Sequence, residues 1–231
     1  MTSGNQGASA LQVRFATAVA DLERRYAENA ERMADDTQEE VVRAWLDADR
    51  TLPWAGTGVT ADEWFFITTL YGEMTLDGQR THIRRFFPLF GERTGGDMRR
   101  LTPEAMIDWK LRSTWMKGRL LRMTDLLRER EQTMPEYADG LRALERGATP
   151  ANPTPALDAI VVDHRATGWK TLRVFVRDCV GGNCFSIDSR VAKELGKHDL
   201  PVNERELVSL SLGAGRNPRQ VARLFFAAGD G

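Results

Sequence analysis

Cysteine is almost absent from this chain of 231 residues, Cys179 and Cys184 being the only two. Two are too few for a disulfide framework or for the four thiolates of an iron–sulfur cluster, so both read as small apolar residues. Histidine is nearly as scarce. His82, His164 and His198 lie far apart with no ligand spacing, so neither a metal nor any other cofactor is expected. Long apolar runs are missing too, none approaching the roughly 20 residues of a membrane span. The polar start from Met1 to Ala10 lacks the basic-then-apolar plan of a signal peptide. These absences predict a cytoplasmic, intracellular protein with no membrane partner. Strand signals are confined to Ile160–Val162 and Val174–Val176, each set inside a helical pattern.

What is present is a chain with 42% hydrophobic residues, enough to bury a core as one large domain or two small ones. Its net charge of −1 hides an uneven distribution. Between Asp21 and Asp49 there are ten acids against four arginines, whereas between Gln79 and Arg122 there are eleven Lys or Arg against four acids. The basic stretch suits a phosphate backbone or, equally, a solvated helix face.

Helix punctuation recurs along the sequence. Leu11 to Ala34 carries apolar residues at helical spacing, and Thr60-Ala-Asp-Glu63 is a capping-box pattern ahead of the apolar stretch Trp64 to Tyr71. Thr102-Pro103 and Asn217-Pro218 put a cap before a proline, and Asn203 with Glu206 makes another box. An all-α fold of about ten helices follows, if each has the usual length of about 11 to 12 residues. Gly147 to Pro155 holds three prolines in nine positions and reads as an exposed connection. Gly181-Gly182 reads as a turn between helices, since no Lys-Ser or Lys-Thr follows to make a phosphate loop.

The chemistry-bearing stretch runs from Gly168 to Leu195. A helix beginning near Gly168 holds Lys170 in its first turn, and a second beginning at Ser189 makes Asp188 its N-cap. Taken singly, such a lysine is an ordinary surface residue and such an aspartate only a cap. Taken together, they offer an amine and a carboxylate at two helix starts. A helix N-terminus disfavours a cation, and burial lowers an amine's pKa, so both favour a neutral, nucleophilic Lys170.

Lys170-Thr171, followed 18 positions later by Ile187-Asp-Ser-Arg-Val-Ala192, resembles the endonuclease III family of helix-hairpin-helix DNA glycosylases, with its 8-oxoguanine glycosylase and archaeal relatives. In that family a Lys-Thr at the end of the hairpin motif precedes a Val-Asp-Tyr-Arg-Val-Ala type segment at a similar interval. Phe65 to Thr75 resembles the family's Leu-Leu-Ser-Ala-Gln-Ala-Thr segment. Leu101-Thr-Pro-Glu-Ala-Met106 and the helix from Trp115 to Leu127 follow the family's order, so the likeness covers about Trp64 to Gly229. It implies a two-lobed all-α fold with a DNA-binding cleft between the lobes. One would be a helical barrel over 52–180, ending in the hairpin; the other would combine 1–51 with 181–231. It also implies base excision from double-stranded DNA by a cluster-free, monomeric enzyme that associates with the nucleoid. Lys170 would attack C1′ to form a Schiff base, giving abasic-site lyase activity as well, and Asp188 would stabilise positive charge on the sugar.

Several positions depart from the family pattern. Where the family has a glutamine that fills the space of the extruded base, this chain has Glu73; either Gln79 or Met74 fills the gap, or Glu73 reads an exocyclic amine. The hairpin reads His164-Arg-Ala-Thr-Gly-Trp-Lys170 and keeps only the second family glycine, Gly168, with Arg165 and Arg173 able to replace its phosphate grip by charge. Further phosphate contacts are expected from Arg80, Arg84, Lys117 and Arg119. Trp64, Trp109, Trp115 and Trp169 read as core, with stacking on a flipped base a second role for Trp169. His164 reads as a helix-end hydrogen-bonding group or a DNA contact. Three rival functions remain: a glycosylase for hypermodified phage bases, acting in anti-phage defence; a non-catalytic DNA-binding module of the same fold; and a helical scaffold that binds only protein.

Overall fold

Every regular element of the computed structural model is helical, and no strand occurs among the residues it describes, which are 9–35, 59–70, 76–111, 113–164 and 169–229. The helices are α1 (Ala10–Asp35), α2 (Ala61–Leu70), α3 (Leu76–Thr94), α4 (Pro103–Asp108), α5 (Thr114–Glu129), α6 (Met134–Glu145), α7 (Pro155–His164), α8 (Trp169–Phe175), α9 (Ser189–Lys197), α10 (Glu204–Gly213) and α11 (Pro218–Gly229). A 3-10 turn, Met98–Arg100, precedes α4, and α8 runs on into a π turn, Val176–Val180. The β-branched clusters at Ile160–Val162 and Val174–Val176 are therefore helical. The described residues form two units, one of 59–147 with 155–182 and the other of 9–35, 148–154 and 183–229.

The larger unit is built around α2, whose residues from Trp64 to Leu70 are all buried. A helix apolar on every side has no face to give to water, so other helices must enclose it; α3, α5, α6 and α8 do so. Phe66 stacks on Phe90 at 4.4 Å and meets Trp109 edge-on at 6.0 Å, while Phe65 meets Phe175 edge-on at 5.4 Å. The two threonines of this helix hide their hydroxyls by donating to the Phe65 carbonyl, at 3.1 Å from Thr68 and 2.7 Å from Thr69. Its start is fixed by a full capping box: the Thr60 N–H donates to Glu63 Oε2 and the Glu63 N–H to Thr60 Oγ1.

Two buried ionisable groups of this unit lack a counter-charge in ion-pair contact. Asp62 accepts the Met98 N–H at 2.8 Å, tying α2 to the 3-10 turn, and burial pushes its carboxyl up to about 6. His164 closes α7 with no exposed surface. Its carbonyl accepts from Arg122 at 2.7 Å, but neither imidazole nitrogen has a hydrogen-bond partner. Its ring lies 5.4 Å from that of Phe65, and burial, then Arg122 and Arg119, bring its pKa down to about 4. The sequence expectation of a helix-end hydrogen bond or a DNA contact for this side chain is thus replaced by an apolar role. Before it in α7, Asp163 accepts both terminal nitrogens of Arg130, at 2.7 and 3.0 Å, and the Tyr137 hydroxyl at 2.9 Å, joining α5, α6 and α7.

The helix carrying Lys170 is stopped by two glycines for different reasons. Gly181 adopts the left-handed conformation, φ 76°, that closes the π turn. Gly182 donates its N–H to the Val176 carbonyl at 2.9 Å, and a Cβ there would lie 2.5 Å from Val176 Cγ1.

In the smaller unit α1 and α9 both pack on α11, around Phe15, Leu22, Phe185, Leu195, Leu207 and Phe225. Arg216 holds Glu23 of α1 through both terminal guanidinium nitrogens at 2.9 Å. The proline-rich stretch is more than an exposed connection, because Ala148–Thr154 groups with this unit. Pro153 and Thr154 are buried, Ser209 Oγ donates to the Pro150 carbonyl at 2.6 Å, and Asn183 reaches the Pro153 carbonyl at 3.5 Å.

The two buried groups make opposite contributions to stability against pH. The raised Asp62 pKa contributes stability that is full below about 4 and is lost as pH rises through about 6; the lowered His164 pKa contributes stability that is full above about 6.5 and is lost as pH falls through about 4. Asp62→Asn keeps an acceptor for Met98 and removes a buried charge. It should raise stability at pH 7 to 8 by about 1 kcal/mol in denaturant titrations, with little gain at pH 4. His164→Phe should stabilise by about 1 to 2 kcal/mol at pH 5, because no hydrogen bond is lost and no buried proton need be taken up.

Candidate functional site

Asp188 is placed by a chain of contacts that begins at Phe185. That ring is fully buried in the smaller unit's core, tilted against Phe225 at 5.9 Å. Glu204 Oε1, in the first turn of α10, accepts the Phe185 N–H at 3.0 Å and the Cys184 thiol at 3.2 Å. Cys184 is thereby a buried donor in a polar contact and not merely a small apolar filler. The segment so anchored delivers Asp188 to the N-cap of α9 in extended conformation, where its Oδ1 accepts the N–H groups of Arg190 at 3.0 Å and Val191 at 2.9 Å. Its Oδ2 accepts from the Arg190 guanidinium at 3.2 Å, and the Asp188 side chain remains 43% exposed. The Arg190 guanidinium in turn lies 4.0 Å from the Phe226 ring centroid. The end of α11 closes on the same point: a Cβ at Gly229 would sit 2.9 Å from the Arg190 carbonyl oxygen.

Lys170 belongs to the larger unit, as the second residue of α8. Trp169 begins that helix, and Gln79 and Arg80 lie on α3. For these four residues the backbone alone is described. Glu73, Met74, Arg165 and Gly168 lie outside the described residues. Arg84 is exposed on α3, and Lys117, Arg119 and Arg173 are half-buried on α5 and α8. Arg80 and Arg84 are four residues apart and share a helix face, whereas Lys117 and Arg119, two apart, cannot. The residues expected to contact phosphate are thus spread over more than one helix face.

Burial contradicts the sequence on one tryptophan. Trp64 and Trp109 are core, but Trp115 is 40% exposed at the first turn of α5, with the Arg119 guanidinium 4.4 Å over its ring. The signal was present as the spacing of an arginine one turn after an aromatic, which is that of a helix-surface pair. Burial also lowers the Arg119 pKa from its ordinary value.

If the Gly229 contact holds α9 in place, Gly229→Ala must part α11 from the first turn of α9. We expect a loss of about 1 to 3 kcal/mol and faster hydrogen exchange at the Arg190 and Val191 amides. Gly196→Ala, in the same unit and with open space at its Cβ, should leave those amides protected. Equal exchange in the two variants would remove α11 from the support of Asp188. No family model, curated protein or solved structure matches the chain.

Proposed function

We propose that the chain is a DNA glycosylase that extrudes a damaged or modified base from a duplex and cleaves its N-glycosidic bond, Lys170 acting as nucleophile and Asp188 as the charge-stabilising carboxylate. The observation that carries this is the pair itself: a lysine in the first turn of one helix and, 18 residues on, an aspartate capping the start of the next, inside the flanks Lys170-Thr171 and Ile187 to Ala192. Extrusion is needed because C1′ is closed to in-line attack inside a stacked duplex, and its cost is smallest for a damaged or mispaired base. Attack of the Lys170 amine on C1′ forms the C–N bond as the base departs with the glycosidic electron pair and a proton. Opening of the sugar then leaves an imine, from which the 3′ phosphate is lost by β-elimination. Positive charge builds on the sugar as the base leaves, and an exposed carboxylate held rigidly by two backbone N–H groups suits its stabilisation.

Support for duplex DNA as the partner comes from Arg84, Lys117, Arg119 and Arg173, all cationic side chains of the larger unit with some exposure. Glu73, in place of the family's glutamine, favours a target base with an exocyclic amine or an unusual modification.

Incubation with pooled lesion-bearing and phage-modified duplexes in the presence of borohydride should trap a covalent protein–DNA adduct that Lys170→Ala abolishes. Base release that survives in Lys170→Ala would assign water as the nucleophile. Salt-sensitive binding without base release from any substrate would leave a DNA-binding module and overturn the excision proposal. Charge reversal at Arg84, Lys117 or Arg119 should weaken duplex binding and lower the slope of log K against log salt by about 1 per lost phosphate contact. Unchanged affinity would remove that residue from the interface.

A further inference from the structure

The larger unit contains a cavity of about 290 Å³ lined by His82, Arg85 and Phe86 of α3 and by Lys110, Leu111 and Ser113 at the turn into α5. Its charge is one-sided, since among the described residues the lining holds two permanent cations and no acid. Neither the Arg85 guanidinium nor the Lys110 ammonium makes an ion pair among the described residues. Phe86 is buried and organises the α3 side of the cavity. The Arg85 guanidinium lies 5.0 Å from its ring centroid and the His82 ring meets it edge-on at 5.5 Å. The guanidinium is thereby held against an aromatic face and loses less freedom on binding than a side chain extended into water.

The second mark of a ligand is an orphaned polar atom. His82 Nδ1 is buried with no hydrogen-bond partner, a state that costs free energy unless something else completes it. Opposite, Ser113 caps the 16-residue α5, its Oγ accepting the Met116 N–H at 3.5 Å, so its hydroxyl proton is left to donate outward. The start of α5 adds the partial positive charge of a helix N-terminus.

We infer that this cavity binds a phosphate group, with Arg85 and Lys110 supplying the charge and His82 and Ser113 supplying neutral hydrogen bonds. Two cations and two separated neutral donors match the several oxygens of a phosphate better than the two of a carboxylate. The volume exceeds that of the bare ion, and the apolar walls, Phe86 and Leu111, can face whatever carries the phosphate. That carrier is either a nucleic-acid backbone or a free phosphate or phosphomonoester. The inference is independent of Lys170 and Asp188 and stands if excision fails.

The test follows the His82 ring resonances of the full chain by NMR during titration with inorganic phosphate, against chloride at matched ionic strength, and then with a short blunt duplex. His82→Gln identifies the signals. Phosphate should give a saturable shift beyond that of chloride. The double variant Arg85→Gln, Lys110→Asn should weaken it about tenfold or more, since each lost charge-assisted bond matters at this scale. Asparagine is chosen at Lys110 because φ there is 58°, which asparagine tolerates, and both side chains are exposed, so the core is unaltered. Duplex that displaces phosphate and binds less well to the double variant assigns the site to a nucleic-acid backbone; duplex that leaves the His82 signals unmoved assigns it to a free phosphate. A shift no larger than chloride's, or one unchanged in the double variant, overturns the proposal.

Discussion

The larger unit depends on enclosing α2. From Trp64 to Leu70 that helix presents apolar or internally bonded side chains in every direction, and its burial brings α3, α5, α6 and α8 around it. Burial of these large side chains contributes roughly 1.5 to 3 kcal/mol each, so the arrangement of neighbours follows from covering this one rod. The helix bearing Lys170 inherits its position from that packing, because Phe175 at its end meets Phe65 of α2. Asp62 and His164 show what the enclosure costs: two ionisable groups are carried into the interior with incomplete compensation.

The smaller unit achieves placement by a different means. Its candidate residue, Asp188, sits at the meeting of a buried ring, a carboxylate clamp from Glu204 and the closing glycine of α11. A cap held this way has little freedom, although its outer oxygen accepts from an arginine that is itself nearly half exposed. Rigid backbone support with an accessible face is what a charge-stabilising carboxylate needs, and it is also what any good cap has. The distinction between those roles is chemical and not geometric.

Local chemistry made much of this fold legible in the sequence. The caps at Thr60, Thr102, Asp188 and Asn203 were readable because an N-cap and its partner lie within three residues of each other. The absence of strands among the described residues agrees with the scarcity of β-branched clusters. What escaped were the long-range outcomes. The proline-rich stretch looked like a connection because nothing local tells that Ser209 and Asn183 hold its carbonyls. Trp115 reads as core in the sequence because its type is usually buried, and His164 reads as a hydrogen-bonding or DNA-contacting group because the apolar surroundings of its ring come from Phe65, far along the chain. The cavity beside Phe86 unites residues from 82 to 113, and only its excess of positive charge is legible in the sequence.

The Asp188→Asn variant separates the chemistry proposed for Asp188 from its capping of α9. Asparagine caps a helix about as well as aspartate, so the fold should keep its unfolding free energy within about 1 kcal/mol of the parent. The charge, however, is gone. Measured on a duplex substrate that the parent processes, the rate of base release is expected to fall about 100-fold or more while the variant stays folded. Release at the parental rate by the folded variant would contradict the account and leave Asp188 a cap alone.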